Sequence, residues 1–174
     1  MPTIRIRSAT ALDVPAILEL IRQLAEYEQL ACLVAATEER LREALFGAKP
    51  AAEVLLADCE QEVVGLAVFF TTYSTFLARP GIYLEDLYVK PHARGRGAGS
   101  ALLQRLAGIA VERGCGRLEW EVLNWNAPAI RFYEKLGAQP LHEWTKYRLT
   151  GKALEQLAFG GPATWAQHPI DSNG

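Results

Sequence analysis

The densest chemistry in the chain lies in one short stretch, Arg94-Gly95-Arg96-Gly97-Ala98-Gly99-Ser100, which follows a strand-like run and opens a helical one. Glycines at such a junction let a ligand approach the backbone, and a helix start presents unpaired N–H groups at a positive dipole end. Together these features suit phosphate. Lys90, His92, Arg94 and Arg96 make this the most basic stretch of a slightly acidic chain, so an anionic ligand is the economical explanation. A plain turn that caps a buried helix would use the same glycines, and composition alone leaves that reading open.

The kind of phosphate is narrowed by what the turn lacks. A nucleoside-triphosphate loop needs a lysine before its closing serine or threonine, and Gly99 stands there before Ser100. Glycines at 95, 97 and 99 give GxGxG rather than the dinucleotide pattern GxGxxG. Glu119 does fall about 20 residues further on, where a ribose-binding acid would sit. A nicotinamide-type oxidoreductase is therefore the weak alternative.

A chain of 174 residues with 50% apolar and 22% charged side chains is expected to hold one globular domain with a sizeable core. Lys and Arg total 18 against 20 Asp and Glu, a net charge of −2, so no nucleic-acid partner is expected. Cys32, Cys59 and Cys115 are odd in number and widely spaced, which suggests neither a disulfide framework nor a metal site. A cytoplasmic setting is expected. Met1–Arg7 lacks the apolar stretch of a signal peptide and no long apolar run follows, so secretion and membrane spanning are not expected.

The elements that must carry the turn follow from periodicity. Residues 3–7 read as a strand, and Thr10 and Asp13 offer capping chemistry to a helix with the stripe Val14, Ile17, Leu18, Ile21, Leu24 and Ala25. Thr37 caps a second helix with Leu41 and Leu45 facing inward. Residues 53–58 and 63–71 form a hairpin, 73–81 a loop, and 82–89 a third strand. A largely buried helix is expected over 100–113, a strand over 117–123, and a short helix from Asn126 and Pro128 to Leu136, ended by Gly137. Residues 144–150 are expected to close the sheet, and 152–158 to form one or two helical turns. Strands in runs followed by strand, helix, strand units argue for an α/β (α+β) fold, a mixed sheet with helices on its faces.

The glycine turn, with Tyr83-Leu84-Glu85-Asp86-Leu87-Tyr88-Val89 before it and Trp125-Asn126-Ala127-Pro128-Ala129-Ile130-Arg131-Phe132-Tyr133 after it, resembles the GNAT acetyltransferases. The spacing is similar more narrowly to their spermidine/spermine N1-acetyltransferase and thialysine N-acetyltransferase branch. Tyr27-Glu28 near the end of the first helix belongs to the likeness, which runs from Ile4 to about Leu157.

The resemblance implies acetyl-CoA as cosubstrate, no metal, and transfer of the acetyl group to a primary amine by direct attack in a ternary complex. It implies that Arg94, Gly95, Arg96, Gly97, Ala98, Gly99 and Ser100 hold the pyrophosphate. The pantetheine arm is expected along Leu87, Tyr88 and Val89 like an added strand, with Asn126, Ala127, Pro128 and Ala129 completing the cofactor side. Tyr133 is implied as the acid that protonates the leaving thiolate, since a phenol with its ordinary pKa near 10 stays protonated at neutral pH. Read without the likeness, Tyr133 shares a helical stripe with Ala129, Ile130 and Gly137 and is an amphipathic core tyrosine.

Glu85 is the candidate for taking the amine's proton, directly or through water. Strand alternation sets Tyr83, Glu85, Leu87 and Val89 on one face and Leu84, Asp86 and Tyr88 on the other, which gives Asp86 a buried structural role unless a bulge intervenes. The acceptor contacts implied are Tyr27, Glu28, Glu85, Glu119, Trp120 and Glu121. Glu119 and Glu121, two apart on one strand, would add to an acidic trough for a small cationic amine, or are solvated glutamates at a sheet end. Trp120 reads equally as a core residue.

The expectation is thus one domain over residues 1–158 with a mobile tail at 159–174, its sheet splayed between the 82–89 and 117–123 strands. Members of the branch pair as homodimers, often through C-terminal strands, which points to residues 144–150. Acceptors of the thialysine, lysine-like, diamine or polyamine type are expected. An acyl-CoA-binding sensor that has lost turnover is the other alternative.

Overall fold

In the computed structural model, which describes residues 3–160, the alternating stretch near the start forms β1, Ile4–Ser8. A short 3₁₀ turn then leads into α1, Val14–Tyr27. The capping chemistry at this junction is used twice over. The Asp13 carboxylate accepts the Thr10 N–H and hydroxyl at 2.7 and 2.9 Å, and also both Nη groups of Arg7 at 2.8 Å. Arg7 Nε reaches Asp58 at 2.7 Å. The Arg7 hydrogen bonds hold the Asp13 carboxyl far below the usual carboxylate range. This network ties β1 to the start of α1 and to the next strand.

The second helix, α2, spans Glu38–Phe46, and Thr37 Oγ accepts the Arg40 N–H at 3.2 Å as its cap. Glu53–Cys59 (β2) and Glu62–Ser74 (β3) form the expected hairpin, with Glu60 and Gln61 at φ 49° and 74° in its turn. The next strand, β4, spans Arg79–Val89, so the loop expected over 73–81 is mostly ladder: β3 and β4 stay paired out to Ser74 and Arg79. Pro80 and Gly81 read locally as breakers. A long β3 nevertheless gives the chain a pairing partner that composition does not reveal.

After a 3₁₀ turn at Pro91–Ala93 comes α3, Ala98–Glu112, and then β5, Leu118–Trp120. The sheet order is β1-β2-β3-β4-β5, antiparallel except for the parallel β4–β5 pair, which gives the mixed, mostly antiparallel sheet with flanking helices that was expected.

The two faces of the sheet carry different helices. Ile17, Leu20, Leu24 and Leu45 from α1 and α2 cluster with Val54, Leu56, Leu66, Val68 and Tyr88. On the opposite face a Cβ at Gly65 would lie 3.5 Å from Leu102 of α3 and only 2.8 Å from the Tyr88 carbonyl, so glycine permits the close approach there. The expectation that this helix is largely buried is corrected. One stripe, Ala98, Leu102, Leu103, Leu106, Ile109 and Ala110, faces the sheet, while Val111 is 80% exposed, because a single sheet covers one side only.

The chain divides into two compact units, Met1–Ala127 and Pro128–Gly174. The helix α4 (Ala127–Lys135), in the second unit from Pro128 on, ends where Gly137 takes φ 86° and the Tyr133 carbonyl accepts the N–H groups of Leu136 and Ala138 at 3.0 and 3.2 Å. This is the glycine stop read from sequence. The last helix, α5, spans Gly151–Phe159. The strand expected over 144–150 is not formed, since a strand needs a neighbour to hydrogen-bond and the described residues of this unit contain no other strand. The expected tail from 159 lies, beyond Gly160, outside the described residues.

Candidate active site

Where β4 leaves β5, the backbone becomes available. The parallel pair runs from Ile82↔Leu118 to Leu84↔Trp120, and β5 ends there while β4 continues through Glu85, Asp86, Leu87 and Tyr88 to Val89. Among the described residues of the first unit this segment has β3 on one side and no strand on the other. Such an edge is where an extended ligand can be added as a strand.

The same segment contains a β-bulge. Phe69 pairs with Leu84 and Val68 with Asp86, so Glu85 has no opposite residue. The strict alternation expected for β4 is corrected accordingly. Tyr83, Asp86 and Tyr88 share the α1 side with Phe70, Val68 and Leu66, while Leu84, Leu87 and Val89 face the α3 side with Phe69, Ala67 and Gly65. Glu85 itself is exposed at the bulge.

This shift makes Asp86 the most perturbed acid near the edge. Burial first, then the charges of Glu85 and Glu28, push its carboxyl up to about 6. Burial also raises Glu28, which follows the last residue of α1. Two carboxylates from two elements therefore act on Asp86, and a cation placed beside it would relieve that repulsion. Sequence alternation assigned Asp86 elsewhere; the signal that finds it is the bulge.

The strand acids divide differently from the trough expected. Arg117 Nε pairs with Glu119 at 2.7 Å, and Glu121 lies beyond the end of β5. Trp120 is half-buried opposite Leu84. Tyr27 donates its hydroxyl to Asn126 Oδ1 at 3.2 Å and sets its ring 5.8 Å from that of Trp125. Asn126 is buried, and its N–H donates to the Leu123 carbonyl at 2.8 Å.

The glycine turn is open toward solvent. Gly95 and Gly97 take φ 74° and 88°, and a Cβ at either would meet nothing within 4 Å. Gly97 is the N-cap of α3, no side chain caps that end, and the first helical bond runs from Ala101 N–H to the Gly97 carbonyl at 2.9 Å. The amides of Ala98, Gly99 and Ser100 therefore stand at a free helix start.

Only part of the basic stretch belongs to this opening. Lys90 Nζ lies 2.9 Å from Glu62 and 3.7 Å from Glu19, and His92 Nε2 lies 3.2 Å from Glu62. Arg94 donates Nε–H to the Val89 carbonyl at 2.9 Å and stacks on Tyr27 and Tyr88. Arg96 makes no ion pair among the described residues.

In the second unit, Pro128, Ala129 and Tyr133 lie on α4, with the Tyr133 ring 5.4 Å from Phe132. No helix among the described residues is long and apolar enough to cross a membrane.

An unpaired strand edge ending in an uncapped helix start with two left-handed glycines defines a class, and comparison with known proteins agrees with it. The chain belongs to the acetyltransferase (GNAT) family, whose profile matches residues 16–138, and it is an acetyltransferase. It is 43% identical to a thialysine N-epsilon-acetyltransferase of Bos taurus, across 91% of this chain and 99% of the relative. It is 35% identical to an L-ornithine N5-acetyltransferase of Arabidopsis thaliana, across 88% of this chain and 87% of that one. Among solved structures, an integron cassette protein from the mobile metagenome of V. cholerae superposes with a TM-score of 0.76 at 28% identity, covering 90% of this chain and 98% of that one.

Proposed function

We propose that the protein moves the acetyl group of acetyl-CoA to a primary amine of a small cationic acceptor by direct attack in a ternary complex. The observation that carries this reading is the gap beside β4: backbone donors and acceptors of Glu85–Val89 end at the open amides of the glycine turn, with Asp86, Glu85 and Glu28 alongside. The turn fits a diphosphate because no Cβ fills it and no side chain caps it.

The amides from Gly95 to Ser100 and the side chain of Arg96 would receive the phosphates, and the β4 backbone at Leu87, Tyr88 and Val89 the extended arm. By family resemblance, Asn126, Ala127, Pro128 and Ala129 complete this role. Bound acetyl-CoA supplies a thioester carbonyl for attack. The chain's own residues supply the rest. Asp86 and Glu28 receive the acceptor's ammonium, and Glu85, exposed at the bulge, takes the proton that must leave before nitrogen can attack. As the C–N bond forms and the C–S bond breaks, the departing thiolate needs a proton. Tyr133 is assigned to give it on the family resemblance.

The acceptor class follows from charge. A trio of carboxylates selects a cation, and thialysine, lysine-like amino acids, diamines and polyamines each carry the required primary amine. The names of the thialysine and ornithine acetyltransferases support putting the first two ahead of polyamines in this proposal. A thiol-release assay at fixed acetyl-CoA across thialysine, lysine, ornithine, diamines, spermidine and N-terminal peptides tests it. Turnover of thialysine or ornithine is expected, and no thiol release with any amine overturns the reading. The protein is further proposed to be a cytoplasmic homodimer, for which light scattering over a dilution series is the check; a monomer throughout removes the dimer.

A further inference from the structure

Arg94 opens the glycine turn, yet its side chain runs back along the protein. The guanidinium carbon lies 4.7 Å from the Tyr27 ring centroid and 5.6 Å from that of Tyr88, and Nε–H donates to the Val89 carbonyl at 2.9 Å. A planar guanidinium offers one edge to hydrogen bonds and its faces to rings, and both modes are in use here. Each platform adjoins an acid. Tyr27 immediately precedes Glu28, and Tyr88 lies two residues beyond Asp86 on the same side of β4. Tyr27 is fixed further by its hydrogen bond to Asn126 and its contact with Trp125.

We propose that Arg94 is a positioning residue that couples occupancy of the glycine turn to amine binding at the Glu28–Asp86 acids, and that it is not itself a phosphate ligand. This rests on the acetyl-CoA and amine reading above. Next to Arg94 the chain passes through Gly95 and Gly97, whose backbones meet little steric restraint until an anion engages the turn's amides. An anion that orders the turn also orders the residue that opens it. The stacked guanidinium then holds Tyr27, and with it Glu28, against Asp86. Coupling of this kind is reciprocal, so an amine must tighten CoA binding by the same factor.

CoA lacks the acetyl group, so binding can be measured without turnover. Thialysine is titrated calorimetrically into the protein with and without saturating CoA, and CoA with and without thialysine. The wild-type protein is expected to bind thialysine about fivefold tighter when CoA is present, the scale set by one exposed cation–π stack and its accompanying hydrogen bond. Arg94→Lys keeps the charge but loses the plane and Nε–H; it should bring that factor to about one while CoA affinity measured alone stays within about twofold. Tyr27→Ala removes the platform without touching the turn and should do the same, while Tyr27→Phe, which keeps the ring, should retain most of the coupling. The inference is overturned if Arg94→Lys weakens CoA alone and leaves the coupling intact, as a phosphate ligand would, or if the wild-type protein binds both ligands independently. A wild-type protein that binds no CoA sinks the acetyl-CoA reading and the coupling with it.

Discussion

Under the proposed function, the glycine turn and the acid cluster would recognise opposite charges by opposite means. The turn is built from backbone: left-handed glycines and uncapped amides at the start of α3, with Arg96 as its one unengaged cation among the described residues. The cluster is built from side chains gathered by the fold: Glu28 after the end of α1, with Glu85 and Asp86 at a bulge in β4. Backbone amides need no desolvated charge, so the turn costs the fold little. The cluster buries a carboxyl against two others, and the raised Asp86 shows that the fold opposes its charge. A substrate ammonium bound there would offset that penalty, which is how a site can favour cations at the expense of its own stability.

The widest separation between the two regions should come from Asp86→Asn. Loss of the buried charge is expected to lower kcat/KM for the amine by about a hundredfold, roughly the effect of removing a hydrogen-bonded charged partner, with acetyl-CoA affinity nearly unchanged. Stability should move the other way. A carboxyl that ordinarily titrates near pH 4 and is raised to about 6 in the fold stabilises the native state while protonated, and that contribution is lost as pH rises through about 6. Asp86→Asn should therefore gain about 2 kcal/mol at pH 8 and flatten the stability slope between about pH 4 and 6 in denaturant titrations. A destabilised variant at pH 8 would contradict the strain assigned to this carboxyl.

The mirror experiment is Gly97→Val, which forces a β-branched residue to φ 88° and fills the open turn. Acetyl-CoA affinity should fall about thirtyfold while amine affinity in the absence of CoA is retained. Equal loss of both ligands would mean that the two regions are not separable. A titration of pH should then sharpen the contrast without mutation. Amine KM is expected to rise by up to about tenfold per unit as pH falls below about 6, where Asp86 takes up its proton, while acetyl-CoA KM stays flat. The smallest effect expected is that of Arg96→Ala, about threefold on acetyl-CoA affinity and fading at high salt, because an exposed charge is screened. An effect larger than that of Gly97→Val would make the turn a side-chain site after all.

Much of this was readable along the chain because it depends on neighbours in sequence. Thr37 capping α2, Gly137 ending α4, the β2–β3 hairpin and the glycine turn before α3 are local events, decided by φ preference and by hydrogen bonds a few residues apart. The readings that failed were non-local. Pro80 and Gly81 signal a loop, yet β3 pairs there; the long helix lacks a broad polar face and reads as largely buried, yet one side of α3 lies in solvent. Lys90 and His92 count toward a basic cradle until Glu62, across the hairpin, engages them.

The sequence by itself therefore determined the class of protein and the glycine turn before α3, since order, spacing and glycine conformation are properties of a continuous stretch. Only the tertiary structure decided which acids gather beside the β4 edge and which rings Arg94 stacks on. One extra residue opposite Val68 turns Asp86 toward the α1 side, and a ring from the end of α1 receives the guanidinium of a residue far along the chain. Neither the register of a strand against its neighbour nor the partner of a side chain across the fold is written in local sequence.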